Sequence, residues 1–106
     1  MATYQDEAWD AIGDRTRRTI MLHLADRPRA VGELATELPV SRPAVSQHLK
    51  VLKNAGLVAE QAIGTRRIYR LNEAGVAALR DQLDVFWNRA LTGFQGVTDR
   101  LPEEEP

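Results

Sequence analysis

The sequence contains no cysteine among its 106 residues. This absence excludes disulfide bonds, thiolate metal sites and cysteine nucleophiles. The sequence also lacks a run of about 18 apolar residues, which a membrane-spanning helix would need. Its N-terminus does not have the pattern of a signal peptide. The expectation is therefore a soluble cytoplasmic protein with no membrane partner.

Net charge is also nearly absent, because 14 basic residues almost balance 15 acidic ones. The distribution is nevertheless uneven. Residues 15–70 hold eleven basic and four acidic residues, whereas residues 1–14 hold four acids and no base, and residues 71–106 hold seven acids and three arginines. A local basic block matters more than the total charge when the partner is a polyanion. The middle of the chain is therefore the part expected to meet nucleic acid.

The stretch from Ser41 to Gly56 predicts a helix with a signal at each end. The Ser41 side chain can accept a backbone N–H as an N-cap, and Pro43 is tolerated in the first helical turn. Gly56 suits a left-handed C-cap. Its spacing predicts one apolar stripe, formed by Val45, Leu49 and Leu52.

The opposite side of this helix is polar and carries no carboxylate. Such a helix can place polar side chains in a DNA major groove while its back packs on a core. An ordinary amphipathic surface helix is the alternative. The outward residues are Pro43, Ser46, Gln47, Lys50 and Asn54.

Three shorter helical patterns precede this one. We expect helices at Tyr4–Gly13 and Arg15–Asp26, the second capped by Asp14, then a turn at Arg27-Pro28-Arg29. A helix of about two turns follows and stops at Pro39. Short helices, a tight turn and a capped polar helix are typical of a helix-turn-helix.

Arginines crowd the first turn of the second helix, where the helix dipole disfavours positive charge. Arg15, Arg17 and Arg18 could form a solvated basic turn that pairs with the acidic N-terminal arm. One of them could instead contact a DNA phosphate.

After Gly56 the pattern changes to two strand-like runs, residues 57–63 and 66–71, joined at Gly64-Thr65. This pattern predicts a β-hairpin. A hairpin directly behind a recognition-type helix is a wing, and Arg66 and Arg67 at its tip could reach the DNA backbone or minor groove. Arginines at a hairpin tip can also be merely solvated.

Asn72 is predicted to cap a last helix whose apolar stripe is too long and too aromatic for a domain of this size to bury. Large exposed apolar patches usually mark an interface, so we expect a homodimer. The acidic segment 101–106 is predicted to be a disordered tail, which leaves residues 1–100 as one domain. The expected dimer residues are Trp9, Ile12, Leu79, Leu83, Phe86, Trp87 and Ala90.

Five segments in this order resemble the ArsR-type family of bacterial winged-helix repressors, and especially its metal-independent, autorepressor-like branch. They are residues 14–20, 31–35, 41–52, 55–58 and 64–71. The resemblance implies a mainly α fold with a small β-hairpin wing, and a homodimer whose recognition helices enter successive major grooves of an operator. It also implies that the first and last helices form the dimer face.

Metal-sensing members of that family commonly carry a cysteine pair on the third helix, or histidine and acidic ligands on the last. This sequence has neither, since Asp81 and Asp84 stand on the last helix without a histidine. We therefore expect no metal and no cofactor, and the sequence identifies no small-molecule effector. The sequence shows no nucleophile–base pair and no phosphate-binding loop, so no motif in it indicates an enzyme.

The leading hypothesis is a sequence-specific repressor of an inverted-repeat operator on double-stranded DNA. A winged-helix module that binds proteins and has lost specific DNA binding is the alternative. His48 lies at the border of the apolar stripe, where core-edge packing and a phosphate contact are both open. The candidate DNA-binding residues are Ser41, Arg42, Pro43, Ser46, Gln47, His48, Lys50, Arg66 and Arg67.

Overall fold

The computed structural model describes the backbone of residues 4–100 and the side chains of residues 7–94. Within this part, five helices and three short strands confirm the predicted mainly α class with a β-hairpin. The predicted acidic tail, residues 101–106, lies outside the described residues. The elements are α1 (Tyr4–Ile12), α2 (Arg15–Asp26), β1 (Arg29–Ala30), α3 (Val31–Glu37), α4 (Arg42–Asn54), β2 (Val58–Ile63), β3 (Arg66–Leu71) and α5 (Glu73–Arg100).

The core lies where α1, α2, α3 and α4 converge, and α4 contributes the predicted stripe. Val45, Leu49 and Leu52 are each fully buried. Burying one such side chain contributes about 1.5–3 kcal/mol, so the stripe fixes which side of α4 faces outward. The other buried apolar residues are Ala8, Ala11, Ile20, Leu24, Leu34, Leu38, Ala55, Leu57 and Val58.

The prediction of a turn at Arg27-Pro28-Arg29 is wrong at its last residue, because Arg29 begins strand β1. Arg29 pairs antiparallel with Tyr69 of β3, so the sheet has three strands in the order β1-β3-β2. A two-residue strand carries no periodicity of its own, and only the tertiary partner reveals it. The Arg29 side chain is buried, and its charge is paired with Glu37 at 3.0 Å.

The arginines of the first turn of α2 have a role that neither sequence interpretation included. Arg17 donates from Nε to the carbonyl oxygen of Ala11 at 2.7 Å, and Arg18 donates from Nη1 to that of Ile12 at 2.7 Å. These carbonyls belong to the last turn of α1, which has no intrahelical donors left for them. The two arginines therefore cap the C-terminus of α1 and fix the corner between α1 and α2.

The start of α5 is anchored on the turn that follows α4. Gly56 has a φ of 80°, as the predicted left-handed cap requires. The Asn72 amide donates to the Gly56 carbonyl oxygen at 2.9 Å, and the backbone of Gly75 lies against the same oxygen. This junction sets the direction in which α5 leaves the domain, along a length of about 42 Å at 1.5 Å per residue.

Candidate nucleic-acid interface

The outward side of α4 presents the polar residues that the sequence predicts for DNA contact. The Ser41 hydroxyl accepts the backbone N–H of Ala44 at 3.3 Å, which starts the helix as predicted. The following side chains are held outward because the stripe on the other side is buried. The exposed candidates are Ser41, Arg42, Pro43, Ser46, Gln47 and Lys50.

Lys53, in the last turn of α4, is also exposed and was missed among the candidates. Its place three residues after Lys50 puts it on a neighbouring part of the same side of the helix, a signal that was available in the sequence.

His48 differs from the other candidates because it is partly buried and faces α2. Its Nδ1 lies 3.4 Å from Nη1 of Arg17 and 3.9 Å from the Asp14 carboxylate. Asp14 is the N-cap of α2 and accepts the backbone N–H of Arg17 at 2.9 Å. That hydrogen bond, followed by the charges of Arg17 and His48, lowers the pKa of Asp14. His48 therefore links α4 to the start of α2 beside the outward face.

The wing tip is formed by Gly64 and Thr65 between β2 and β3, as predicted. Gly64 has a φ of 64°, which glycine adopts without strain. Arg66 and Arg67 follow the turn, and their side chains are 59% and 67% exposed. Both arginines are nevertheless in ion pairs with carboxylates of the same chain, which local sequence patterns did not indicate.

Arg66 pairs with Glu33 of α3. The Nη2 of Arg66 donates to Oε1 of Glu33 at 3.0 Å. The same carboxylate accepts the backbone N–H of Ala30 at 2.9 Å and Nη1 of Arg27 at 3.4 Å. These donors, with the Ala30 N–H first, lower the pKa of Glu33. Glu33 is therefore an ionised helix cap that also holds the wing tip.

Arg67 pairs with Glu60, which lies on β2. The Nη1 of Arg67 donates to Oε2 of Glu60 at 3.2 Å, and Lys53 donates to Oε1. Hydrogen bonds from Lys53 and from the Tyr69 hydroxyl lower the pKa of Glu60 from 4.5 to about 2. Because Lys53 belongs to α4 and Arg67 to β3, Glu60 ties the recognition helix to the wing.

A groove of about 480 Å³ runs between the start of α3, the start of α4 and the wing tip. Arg42 enters it from α4, where its Nη2 lies 3.6 Å from the position that a Cβ on Gly32 would take. Arg66 and Arg67 enter it from the wing, and the hydroxyl residues Thr36 and Thr65 line its wall. Guanidinium donors of three arginines therefore converge on one groove, and such groups bind phosphate oxygens.

The basic groups of this face thus fall into two classes. In the part of the chain that the structure describes, Arg42 and Lys50 make no salt bridge, so their charges are available to a polyanion. Arg66, Arg67 and Lys53 are each paired with Glu33 or Glu60. The free cations lie on α4, and the paired ones link α4, α3 and the wing.

A second surface, formed by α1 and α5, is apolar and exposed. Trp9 packs edge-on against Phe86 with ring centroids 6.3 Å apart, and Phe86 contacts Trp87 in the same way at 5.8 Å. Phe86 and Trp87 are 54% and 52% exposed. Of the other predicted dimer residues, Leu83 and Ala90 are exposed, while Ile12 and Leu79 are partly buried against the core.

This surface extends beyond the residues predicted for it. Val85 and Leu91 are also exposed. Val85 falls outside the stripe of threes and fours, which is why the sequence pattern missed it. An apolar patch of this extent marks an interaction surface rather than a solvated helix.

The described side chains contain no group of three or more histidine, aspartate or glutamate residues placed to hold a metal ion. No helix within the described part of the chain is both long and apolar enough to cross a membrane.

Known proteins resemble this chain along nearly its whole length. A profile of the family described as "Bacterial regulatory protein, arsR family" matches residues 14–60. The HTH-type transcriptional regulator Rv2034 of Mycobacterium tuberculosis is 60% identical over 101 residues, which cover 93% of this chain and 94% of that protein. The HTH-type transcriptional repressor SmtB of the same species is 42% identical over 67 residues, covering 63% of this chain and 50% of that protein.

A similar solved structure is a solution NMR structure from Mycobacterium bovis. It is described as the homodimeric winged helix-turn-helix DNA-binding domain of Mb0332, a possible ArsR-family transcriptional regulator. It superposes with a TM-score of 0.67 at 30% identity, covering 80% of this chain and 79% of that one. This similarity confirms the predicted winged helix-turn-helix fold.

Proposed function

The chain belongs to the ArsR family of bacterial transcriptional regulators, and from that premise we propose that it is a homodimeric repressor of an inverted-repeat operator. Recognition helix α4 enters the major groove, and the wing binds the adjoining backbone. As a regulator of chromosomal DNA it acts in the cytoplasm, without a metal, a cofactor or catalysis.

One observation carries the DNA-binding part of this proposal. The apolar stripe of α4 is fully buried, so its polar side faces outward beside the groove that Arg42 and Arg66 line. Gln47 lies in the N-terminal half of this helix, and glutamine can contact adenine through two hydrogen bonds. Arg42 and Lys50 supply positive charge for phosphates, which fixes orientation without reading sequence.

The exposed apolar surface of α1 and α5 supports the dimer. One recognition helix reads only a few base pairs, so a monomer would bind weakly and with little selectivity. Joining two copies makes the second contact intramolecular, which can raise the apparent affinity about a hundredfold or more. A two-fold axis through this surface also requires an inverted repeat with half-sites about one helical turn apart or somewhat more.

Selection of bound duplexes from a randomised DNA library tests the proposal, because it identifies the operator and tests its symmetry in one experiment. The expected product is an inverted repeat that the protein binds at least about a thousandfold more tightly than unrelated duplexes. Selected sequences without symmetry would contradict the dimeric operator. Failure to enrich any sequence would favour the alternative, a protein-interaction module.

A further inference from the structure

We propose that Glu33 competes with DNA phosphates for Arg66. In the free protein the Glu33 carboxylate occupies the Arg66 guanidinium at the wing tip, in place of a phosphate of the DNA backbone. This inference rests on the proposed DNA-binding function and adds a residue that sets affinity for duplex DNA. An acidic side chain of the basic surface then takes part directly in the equilibrium between free and DNA-bound protein.

The position of the ion pair carries the argument. Glu33 and Arg66 are separated by 33 residues in sequence and meet at 3.0 Å, on the wall of the groove that Arg42 also enters. A phosphate bound between Arg42 and Arg66 would occupy the space in front of the Glu33 carboxylate. Carboxylate and phosphate oxygens bind the same guanidinium edge, so Arg66 cannot serve both fully.

The other contacts of Glu33 keep it in place when Arg66 leaves. The backbone N–H of Ala30 holds one carboxylate oxygen at 2.9 Å, and Arg27 approaches the other at 3.4 Å. Because these contacts cap α3, the carboxylate cannot simply swing away. DNA binding therefore exchanges an internal ion pair for a phosphate contact and leaves a negative charge close to that phosphate.

Glu33 is better placed for this exchange than Glu60, the other carboxylate that pairs with the wing. The Glu33 side chain is 36% exposed and lies at the groove, whereas that of Glu60 is 17% exposed. Glu60 also holds Lys53, Arg67 and the Tyr69 hydroxyl together, so it acts mainly within the structure of the wing.

The exchange changes both affinity and its salt dependence. Glutamine can keep the hydrogen bond that caps the helix, since both residues occur at this position of a capping box. Glu33→Gln therefore frees Arg66 with little change in α3. In wild type the carboxylate that loses Arg66 attracts a cation, which offsets part of the counterion release from DNA. The slope of log affinity against log salt should accordingly become steeper in the variant, by up to about 0.9 per subunit.

The test uses the full-length protein and a labelled duplex of random sequence of about 30 base pairs, long enough for two half-sites. Fluorescence anisotropy is followed between about 50 and 200 mM salt. We expect Glu33→Gln to bind about 3- to 20-fold more tightly than wild type at the low-salt end, because a surface ion pair is worth up to about fivefold and each dimer contains two.

Two further variants identify the cause of this gain. Arg66→Ala is introduced into wild type and into Glu33→Gln, and the gain should shrink to about twofold or less in the background that lacks Arg66. Glu73→Gln, at the exposed first residue of α5, changes the net charge by the same amount away from both the groove and the apolar surface, and should leave affinity within about twofold because distant surface charges are screened.

The outcomes separate this inference from the proposed function. A wild-type protein that shows no salt-dependent binding to any duplex contradicts the function itself. Wild-type binding that Glu33→Gln leaves unchanged or weakens, in a variant with the wild-type circular dichroism spectrum and urea midpoint, overturns the role of Glu33. A gain that persists undiminished without Arg66 assigns the effect to general electrostatics and also overturns it.

Discussion

The backbone of Gly75 lies against the carbonyl oxygen of Gly56 so closely that a Cβ on Gly75 would stand 1.8 Å from that oxygen. The contact is made between two backbones and cannot be relieved by rotating a side chain. It joins the turn after the recognition helix to the first turn of α5, and so couples the DNA-binding and apolar surfaces.

We expect Gly75→Ala to destabilise the protein by about 3 kcal/mol or more, because α5 must move off the turn to admit the methyl group. Urea unfolding followed by circular dichroism measures this loss. Gly93→Ala is the matched control, since nothing lies within 4 Å of its Cβ position on the same helix. It should stabilise by about 0.5–1 kcal/mol. Equal effects from both changes would contradict the close approach.

Glu60 should make stability depend on pH in a defined window. Its pKa is about 2 in the folded protein and 4.5 ordinarily, so the folded state favours the ionised form. The resulting stability is fully present above about pH 4.5 and is lost as the pH falls through about 2. Glu60→Gln removes this dependence while retaining an acceptor for Lys53 and Tyr69.

Urea midpoints of wild type and Glu60→Gln at a series of pH values measure this effect. The variant should be less stable near neutral pH by about 0.5–1.5 kcal/mol, since partly exposed pairs contribute modestly. The difference should shrink steadily as the pH falls below 4.5. A difference that is constant across this range would show that the charge of Glu60 does not stabilise the wing.

The outward side of α4 should separate sequence reading from positioning. Gln47→Ala should cost about 1–3 kcal/mol per half-site and relax the preference at one base position. Lys50→Ala should weaken all duplexes alike and make the salt dependence shallower. Competition binding with the selected duplex and its single-base variants measures both. Equal, sequence-independent losses from the two changes would refute this division of roles.

Local signals were sufficient for the recognition helix. Ser41 and Gly56 mark its ends, and the spacing of Val45, Leu49 and Leu52 shows its buried side, so boundaries and orientation were predicted correctly. The hairpin was equally readable from its two strand-like runs on either side of Gly64-Thr65. These features depend on neighbours in sequence, which is what periodicity and capping rules describe.

Features that depend on distant partners were not predicted. Strand β1 exists because Arg29 meets Tyr69, and the caps of α1 exist because Arg17 and Arg18 reach back across a corner. The pairing of Arg66 with Glu33 likewise joins two elements far apart in the chain. The sequence pattern correctly placed Arg66 and Arg67 at the wing tip. Only the tertiary structure shows that they form ion pairs with Glu33 and Glu60.

A dimeric DNA reader requires that two copies joined through α1 and α5 contact the operator together. Trp87→Glu tests it, because this side chain is 52% exposed and the isolated fold does not require its burial. In a symmetric dimer this substitution would place two negative charges, one from each copy, in an apolar interface. Ala25→Glu is the control, since it adds the same charge at an exposed position of α2, outside the apolar surface of α1 and α5.

Analytical ultracentrifugation and binding to the selected inverted repeat should be measured together on wild type and both variants. We predict that Trp87→Glu remains folded by circular dichroism, sediments as a monomer and binds the inverted repeat at least about a hundredfold more weakly. Ala25→Glu should remain a dimer with wild-type affinity. A folded, monomeric Trp87→Glu protein that binds the inverted repeat with unchanged affinity would contradict the dimeric reader.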